Sequence, residues 1–280
     1  QTGHHTFFVL VEQEEMKWWQ PVNVNIKQEM MPAVLPFTHV KADSCEPIDI
    51  TSAFNASVTD IYRNEYLSPR SPYTTLQLPK QGIGEWCHPT LTADIDDSGM
   101  RALVRDGLLS TNLGVSFRTP EKGNNIAFTS LWDNYPDSLS IPLTGRASRA
   151  YLLMAGSTNH MQCHIVNGVV RVHYADGTAE TLELVNPENW CPIEQDFYVD
   201  GMAFRLQSLR PYRLHLKSGL VSNNLEKDLN ITGVYGRPID GGAGILLDMP
   251  LNPDKDLKCI TLETVSNDVV IGLMGITLQK

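Results

Sequence analysis

An all-β fold, an antiparallel β-sandwich of jelly-roll type, is what this sequence predicts. Three observations carry the prediction. Ten or more short strand-like runs recur with turn signals between them, and no long amphipathic helical pattern interrupts them. In the clearest hairpin, Val170, Val172 and Tyr174 alternate with Arg171 and His173 ahead of a turn at Asp176-Gly177. The 280 residues suffice for one large β domain or two smaller ones.

The elements follow in order. Thr6 to Val11 is a compact β-type run, and Val22 to Ile26 alternates apolar residues with Asn23 and Asn25. Between them lies Glu14-Glu15-Met16-Lys17-Trp18-Trp19-Gln20-Pro21. Two strands do not make a stable domain. Residues 1–30 therefore read as the terminal hairpin of a preceding β domain, or as strands added to the following sheet. Residues 31–47 hold Pro32, Pro36 and Pro47 with little periodicity and read as a linker. The sandwich is expected over residues 48–280. It opens with a short strand at Ile48-Asp49-Ile50. One or two helical turns follow within Ser52 to Tyr62, with Asn55 or Ser57 as a cap. An extended Pro-containing loop (67–72) and a strand at Thr74 to Leu78 come next. Further strands are expected at Met100 to Val104, Leu113 to Phe117, Ile126 to Leu131 and Leu139 to Leu143. Ala150 to Ala155 carries Tyr151-Leu152-Leu153-Met154 and reads as a strand buried on both faces. Val169 to Tyr174, Thr181 to Val185 and Tyr212 to Leu216 are strands, the last with Tyr212, Leu214 and Leu216 on its apolar face. The chain closes on a hairpin, Lys258 to Val265 and Val269 to Leu278, turning at Asn267-Asp268, which anchors the C-terminus in the sheet.

Net charge is −10, from 32 acidic and 22 basic residues. Nucleic acid and anionic membrane both need a basic face, so neither is expected as a partner. No stretch approaches the roughly 20 apolar residues of a membrane span. The chain starts at Gln1 with no signal peptide in view, which reads as a mature or excised fragment. The five cysteines (Cys45, Cys87, Cys163, Cys191 and Cys259) form no C-x-x-C pair, so no zinc or thioredoxin-like motif is expected. Cys87 and Cys191 each follow a tryptophan; they are either a disulfide or buried free thiols, the latter being the commoner state.

The densest polar and aromatic run is Asn186-Pro187-Glu188-Asn189-Trp190-Cys191-Pro192-Ile193-Glu194-Gln195-Asp196. Such a loop suits presenting polar groups or covering a neighbouring domain. Glu85, Glu194 and Asp196 are the carboxylates to weigh for glycoside hydrolysis, which uses a pair roughly 5–10 Å apart. On a strand, Glu194 and Asp196 would share a face; the alternative is that they bond loop amides. Trp86, Trp190, His88 and Arg70 are candidate sugar contacts, together with Glu194 and Asp196, because aromatic faces stack on pyranose C–H groups. Either tryptophan equally suits a core plug under a loop. Of Trp18 and Trp19 only one can face inward on a strand, which leaves the other to cover an interface. Asp94, Asp96 and Asp97 place oxygens as a calcium site does. Arg105 occupies the position of the distal glutamate, so a solvated acidic turn is the competing reading. No other cofactor is expected. His160 and His164 are four apart, but off a helix that spacing loses its meaning. The glycines at 233, 236, 241, 242 and 244 neither follow a strand nor open a helix, so they do not form a phosphate cradle.

A family resemblance rests on several runs. Leu152 to Ser157 (LLMAGS), Met161-Gln162 and Asn167-Gly168 are followed by Tyr174 to Thr178, Asn186 to Trp190 and Pro192 to Asp196. Asn64 to Arg70, Gly82 to Pro89 and Val265 to Met274 belong to the same set. Together they resemble the C-terminal β-sandwich regions of large secreted glycoside hydrolases, and related uncharacterised proteins, of Bacteroidetes type. The resemblance spans most of residues 48–280. It implies a galactose-binding-like jelly roll behind an N-terminal catalytic helical barrel, a secreted or periplasmic location and a part in polysaccharide breakdown. This chain departs from the pattern at Cys191, where a second aromatic is expected, so it carries half of a two-ring sugar platform. The expectation is a non-catalytic region that binds carbohydrate or braces the catalytic domain. The alternatives are a sandwich that is itself a hydrolase or lyase, and an interaction module without a ligand.

Overall fold

The computed structural model describes residues 3–14, 16–26, 37, 40–67, 83–85, 88–89, 94–158, 162–196, 206, 209–232 and 237–280. The chain divides into two compact units, residues 1–35 and 36–280.

The first unit is a ribbon of β1 (Gly3–Gln13) and β2 (Met16–Ile26), antiparallel from Gly3↔Ile26 to Gln13↔Met16. Residues 16–21, expected between two short strands, are therefore part of β2. Glu14 takes a left-handed φ of 55° at the turn, and Lys17 bonds Glu12 at 2.7 Å beside it. Pro21 is tolerated because a two-stranded ribbon leaves each strand one unpaired edge.

The second unit is an all-β antiparallel sandwich. Its strands are β3 (Cys45–Ile48), β4 (Ile83–Glu85), β5 (His88–Pro89), β6 (Leu108–Ser110), β7 (Ser116–Arg118), β8 (Ala127–Ser130), β9 (Ser138–Pro142), β10 (Arg149–Thr158), β11 (Val166–Tyr174), β12 (Ala179–Val185), β13 (Tyr212–His215), β14 (Val221–Ser222), β15 (Ala243–Pro250), β16 (Leu257–Thr264) and β17 (Val269–Gln279). Two short helices, α1 (Ser98–Ala102) and α2 (Leu225–Asp228), interrupt them. The large sheet runs β14-β13-β15-β10-β17, and β3 and β8 share the far edge of β17. The small sheet runs β12-β11-β16-β9.

Leu152, Met154, Ile245 and Ile271 of the large sheet share a core with Val170, Val172, Ile260 and Leu262 of the small one. The other face of the large sheet is covered too. Tyr151, Leu153, Val270 and Met274 pack with Val58, Tyr62, Phe117 and Phe128 in a second core. Burial on both faces explains the continuous apolar run of β10, as expected, and the wholly buried β17. A bulge in the β10–β17 ladder falls at Met274. It moves the sandwich-facing set of β17 from Val269, Ile271 and Leu273 to Ile276 and Leu278. The outer face of the small sheet is polar: Arg171 pairs with Glu263, and His173 Nε2 lies 3.0 Å from Thr261 Oγ1.

Several local expectations change. Met100 to Val104 is not a strand; residues 98–102 form α1, because a short apolar run does not by itself separate helix from strand. Leu113 to Phe117 is strand only from Ser116, since Gly114 turns the chain at φ 79°. Over 52–62 there are two 3-10 turns, Thr51–Ala53 and Val58–Asp60. Asn55 caps neither turn; its amide bonds both the N–H and the C=O of Phe128, at 2.8 and 2.9 Å. Ser57 stands at the N-cap of the second turn, yet its hydroxyl bonds Thr59 instead. The opening strand keeps Ile48 but runs back to Cys45, into the stretch read as linker, and Asp49 instead bonds Thr51. Phe37, from the same stretch, is buried and stacks on Tyr151 at 5.3 Å. β15 went unread behind its glycines. The strand expected at 74–78 lies outside the described residues. Among the described residues no helix is long and apolar enough to cross a membrane.

Candidate functional site

The 186–196 run follows β12 and turns inward. Asn189 closes it on the strand, accepting from Val185 N at 2.8 Å and donating to Glu183 O at 2.9 Å. Trp190 is fully buried. Its ring lies against Gly156 of β10, where a Cβ would stand 2.8 Å from the ring and 2.0 Å from the Val270 carbonyl oxygen. Only glycine fits there. The backbone then joins the sheet region. Ile193 N donates to Gly156 O and Ala243 N to Ile193 O, each at 2.8 Å. Ile239 N donates to Glu194 O at 2.8 Å, and Asp196 N to Arg237 O at 3.0 Å. Beneath the run, the buried guanidinium of Arg213 donates to the carbonyls of Gln195, Pro192 (3.1 Å) and Ala243 (2.8 Å).

The two carboxylates of the run go separate ways. Glu194 accepts a hydrogen bond from the buried Tyr62 hydroxyl. Burial pushes its pKa up to about 7, against the opposing pull of that bond. Burial, and then the nearby Glu194 charge, hold Tyr62 well above the usual phenol range. Asp196 instead meets Arg237 at 3.2 Å and Arg210 at 3.9 Å, and both arginines also reach Glu226. Each carboxylate is only 6% exposed. A carboxyl group that keeps its proton near neutrality could serve as a general acid, but glycoside hydrolysis also needs a second carboxylate across a substrate-sized gap. Here the second, Asp196, is buried and held by Arg237 and Arg210.

The remaining candidates are scattered. Glu85 and His88 are register partners in the β4–β5 ladder. Trp86 and Arg70 lie outside the described residues. Cys191 is a buried free thiol, its pKa pushed up to about 12 by burial. Asp94 is exposed and bonds Arg63 at 2.6 Å. Asp96 accepts from Ser98 N at 2.9 Å. Asp97 is buried and accepts from Arg101 and Asn125, each at 2.8 Å. These three carboxylates thus serve separate sets of donors, and the described residues contain no group of three or more metal-ligating side chains.

Reasoning from sequence missed Arg213 and Tyr62. Arg213 alternates with Tyr212 and Leu214, which would leave it facing solvent if those two faced the sandwich core. Tyr212 and Leu214 pack in the second core instead, and Arg213, opposite Ile245, lies on the other face, where the carbonyls of the run cover it. On the ribbon, Leu10↔Trp19 and Phe8↔Pro21 lie on one side, and Val9↔Gln20 and Val11↔Trp18 on the other. Phe8 is 65% and Trp19 64% exposed.

No family model, no curated protein and no solved structure matches this chain.

Proposed function

We propose that this chain is a non-catalytic accessory region of a secreted or periplasmic glycoside-hydrolase-like protein, a galactose-binding-like sandwich that braces a neighbouring catalytic domain. The observation that supports bracing over sugar binding is the inward course of the 186–196 run. Trp190 offers no ring face to solvent, and Glu194 and Asp196 spend their acceptors on Tyr62 and on arginines. The exposed aromatics of the β1–β2 ribbon supply contact surface for a neighbour, which a two-stranded ribbon needs for stability. The test is reducing-end release from a polysaccharide panel by this chain alone, then by the full-length parent carrying Phe8→Ser and Trp19→Ser. The expected result is no release from the chain alone and a lower Tm for the altered parent. Glycan cleavage by the isolated chain, abolished by Glu194→Gln, would contradict the proposal and favour a sandwich that is itself a hydrolase.

A further inference from the structure

His215 ends β13, and the turn after it carries Ser218. The imidazole is 6% exposed, whereas Ser218 is open to solvent. His215 Nε2 lies 2.7 Å from the carbonyl oxygen of Asp240, and Nδ1 lies 2.7 Å from Ser218 Oγ. A carbonyl oxygen can only accept, so Nε2 carries the hydrogen. In the neutral ring Nδ1 is then bare and accepts the Ser218 O–H. Leu220 N donates to Ser218 Oγ at 3.3 Å, so a backbone dipole already favours negative charge on that oxygen. An exposed hydroxyl, a base bonded to it and a third group fixing the base's tautomer together form the arrangement that activates a serine.

His215, but not Ser218, lines a cavity of ≈ 380 Å³ whose walls divide evenly between apolar residues (Leu229, Ile231, Pro238, Ile239) and polar ones (His215, Asn230, Thr232, Asp240). That volume takes a short acyl chain. Asp240 also pairs with Lys217 Nζ at 2.6 Å. None of these groups belongs to the 186–196 run, so this site stands apart from the bracing role.

We propose that Ser218 and His215 form a nucleophile–base pair that reacts with small carboxylic esters, the acyl chain reaching past His215 into the cavity that this ring lines. Ser218 Oγ forms a bond to the ester carbonyl carbon as its proton passes to His215 Nδ1. The ester C–O bond breaks, and the leaving alkoxide takes that proton to depart as an alcohol. Water then attacks the acyl-serine, giving its proton to His215 Nδ1. Collapse of the intermediate frees the carboxylic acid and returns the proton to Ser218 Oγ.

A fluorophosphonate probe with peptide mass spectrometry tests the pair on the whole chain. The expected result is an adduct at Ser218, absent from heat-denatured protein and from Ser218→Ala. His215→Gln is expected to slow labelling by about a hundredfold, the scale of general-base assistance. Should His215→Gln fail to fold, the pH profile of wild-type labelling decides: a rise that levels off supports an imidazole base, and a rate that climbs with hydroxide throughout contradicts it. p-Nitrophenyl butyrate is expected to turn over faster than the acetate. No adduct at Ser218, or labelling unchanged in folded His215→Gln, would overturn the proposal.

Discussion

The 186–196 run and the β1–β2 ribbon reverse what their compositions suggest. The run is rich in carboxylates and amides, and its key side chains are buried. The ribbon is rich in Phe, Trp, Leu and Val, and Phe7, Phe8, Leu10, Trp18 and Trp19 are exposed. Polarity alone does not set burial. A polar segment goes inside when donors meet it, as Tyr62, Arg213 and Arg237 do here, and an apolar one stays outside when nothing in its own unit covers it.

The largest expected effects come from loosening the run. Trp190→Ala removes a wholly buried ring and is expected to cost about 3–5 kcal/mol in denaturant unfolding. Arg213→Ala leaves three buried carbonyls without their donor and is expected to cost about 3 kcal/mol or more. Either variant unfolding at the wild-type midpoint would mean that the run is not integral to the sandwich. Gly156→Ala comes next, at about 2–3 kcal/mol, because its Cβ would collide with the Val270 carbonyl as well as with Trp190. A thermal melt within a degree of wild type would refute that close approach.

The pH dependence sharpens the comparison. Glu194 titrates at about 7 in the folded chain, above its ordinary value of 4.5. A raised carboxyl pKa means that the folded state holds a proton the unfolded state has lost. Stability is therefore fully present below about pH 4.5, falls as pH rises to about 7, and is level beyond. The loss is on the order of 3 kcal/mol. Glu194→Gln is expected to remove this slope, read as the difference between variant and wild-type unfolding free energies from pH 4 to 8. Parallel curves would place Glu194 in water. The smallest effect belongs to the ribbon. Trp19→Ser is expected to change the unfolding of residues 36–280 by less than about 0.5 kcal/mol. A larger change would give Trp19 a partner within this chain.

The sandwich was legible because its strands carry period-two alternation and Asp-Gly or Asn-Asp turns, and the doubly buried β10 announced itself as Tyr-Leu-Leu-Met. The terminal hairpin was equally plain. β15 was not, since its apolar run begins directly after three glycines. α1 and the 3-10 turns are too short to show a helical period. At the candidate site the run itself stood out, but its direction did not. That direction is set by Tyr62, 132 positions away from Glu194 in sequence, and by Arg213, which shares the Ile245 face because Tyr212 and Leu214 go to a second core that the sequence did not announce.

The most direct test of the inward run is a glycan array of wild type against Trp190→Phe, a variant that keeps a ring in the core. The inward course of the run predicts identical profiles, because Trp190 is fully buried. A glycan held by wild type and lost by the variant at unchanged Tm would contradict it, and would make Trp190 a binding residue after all.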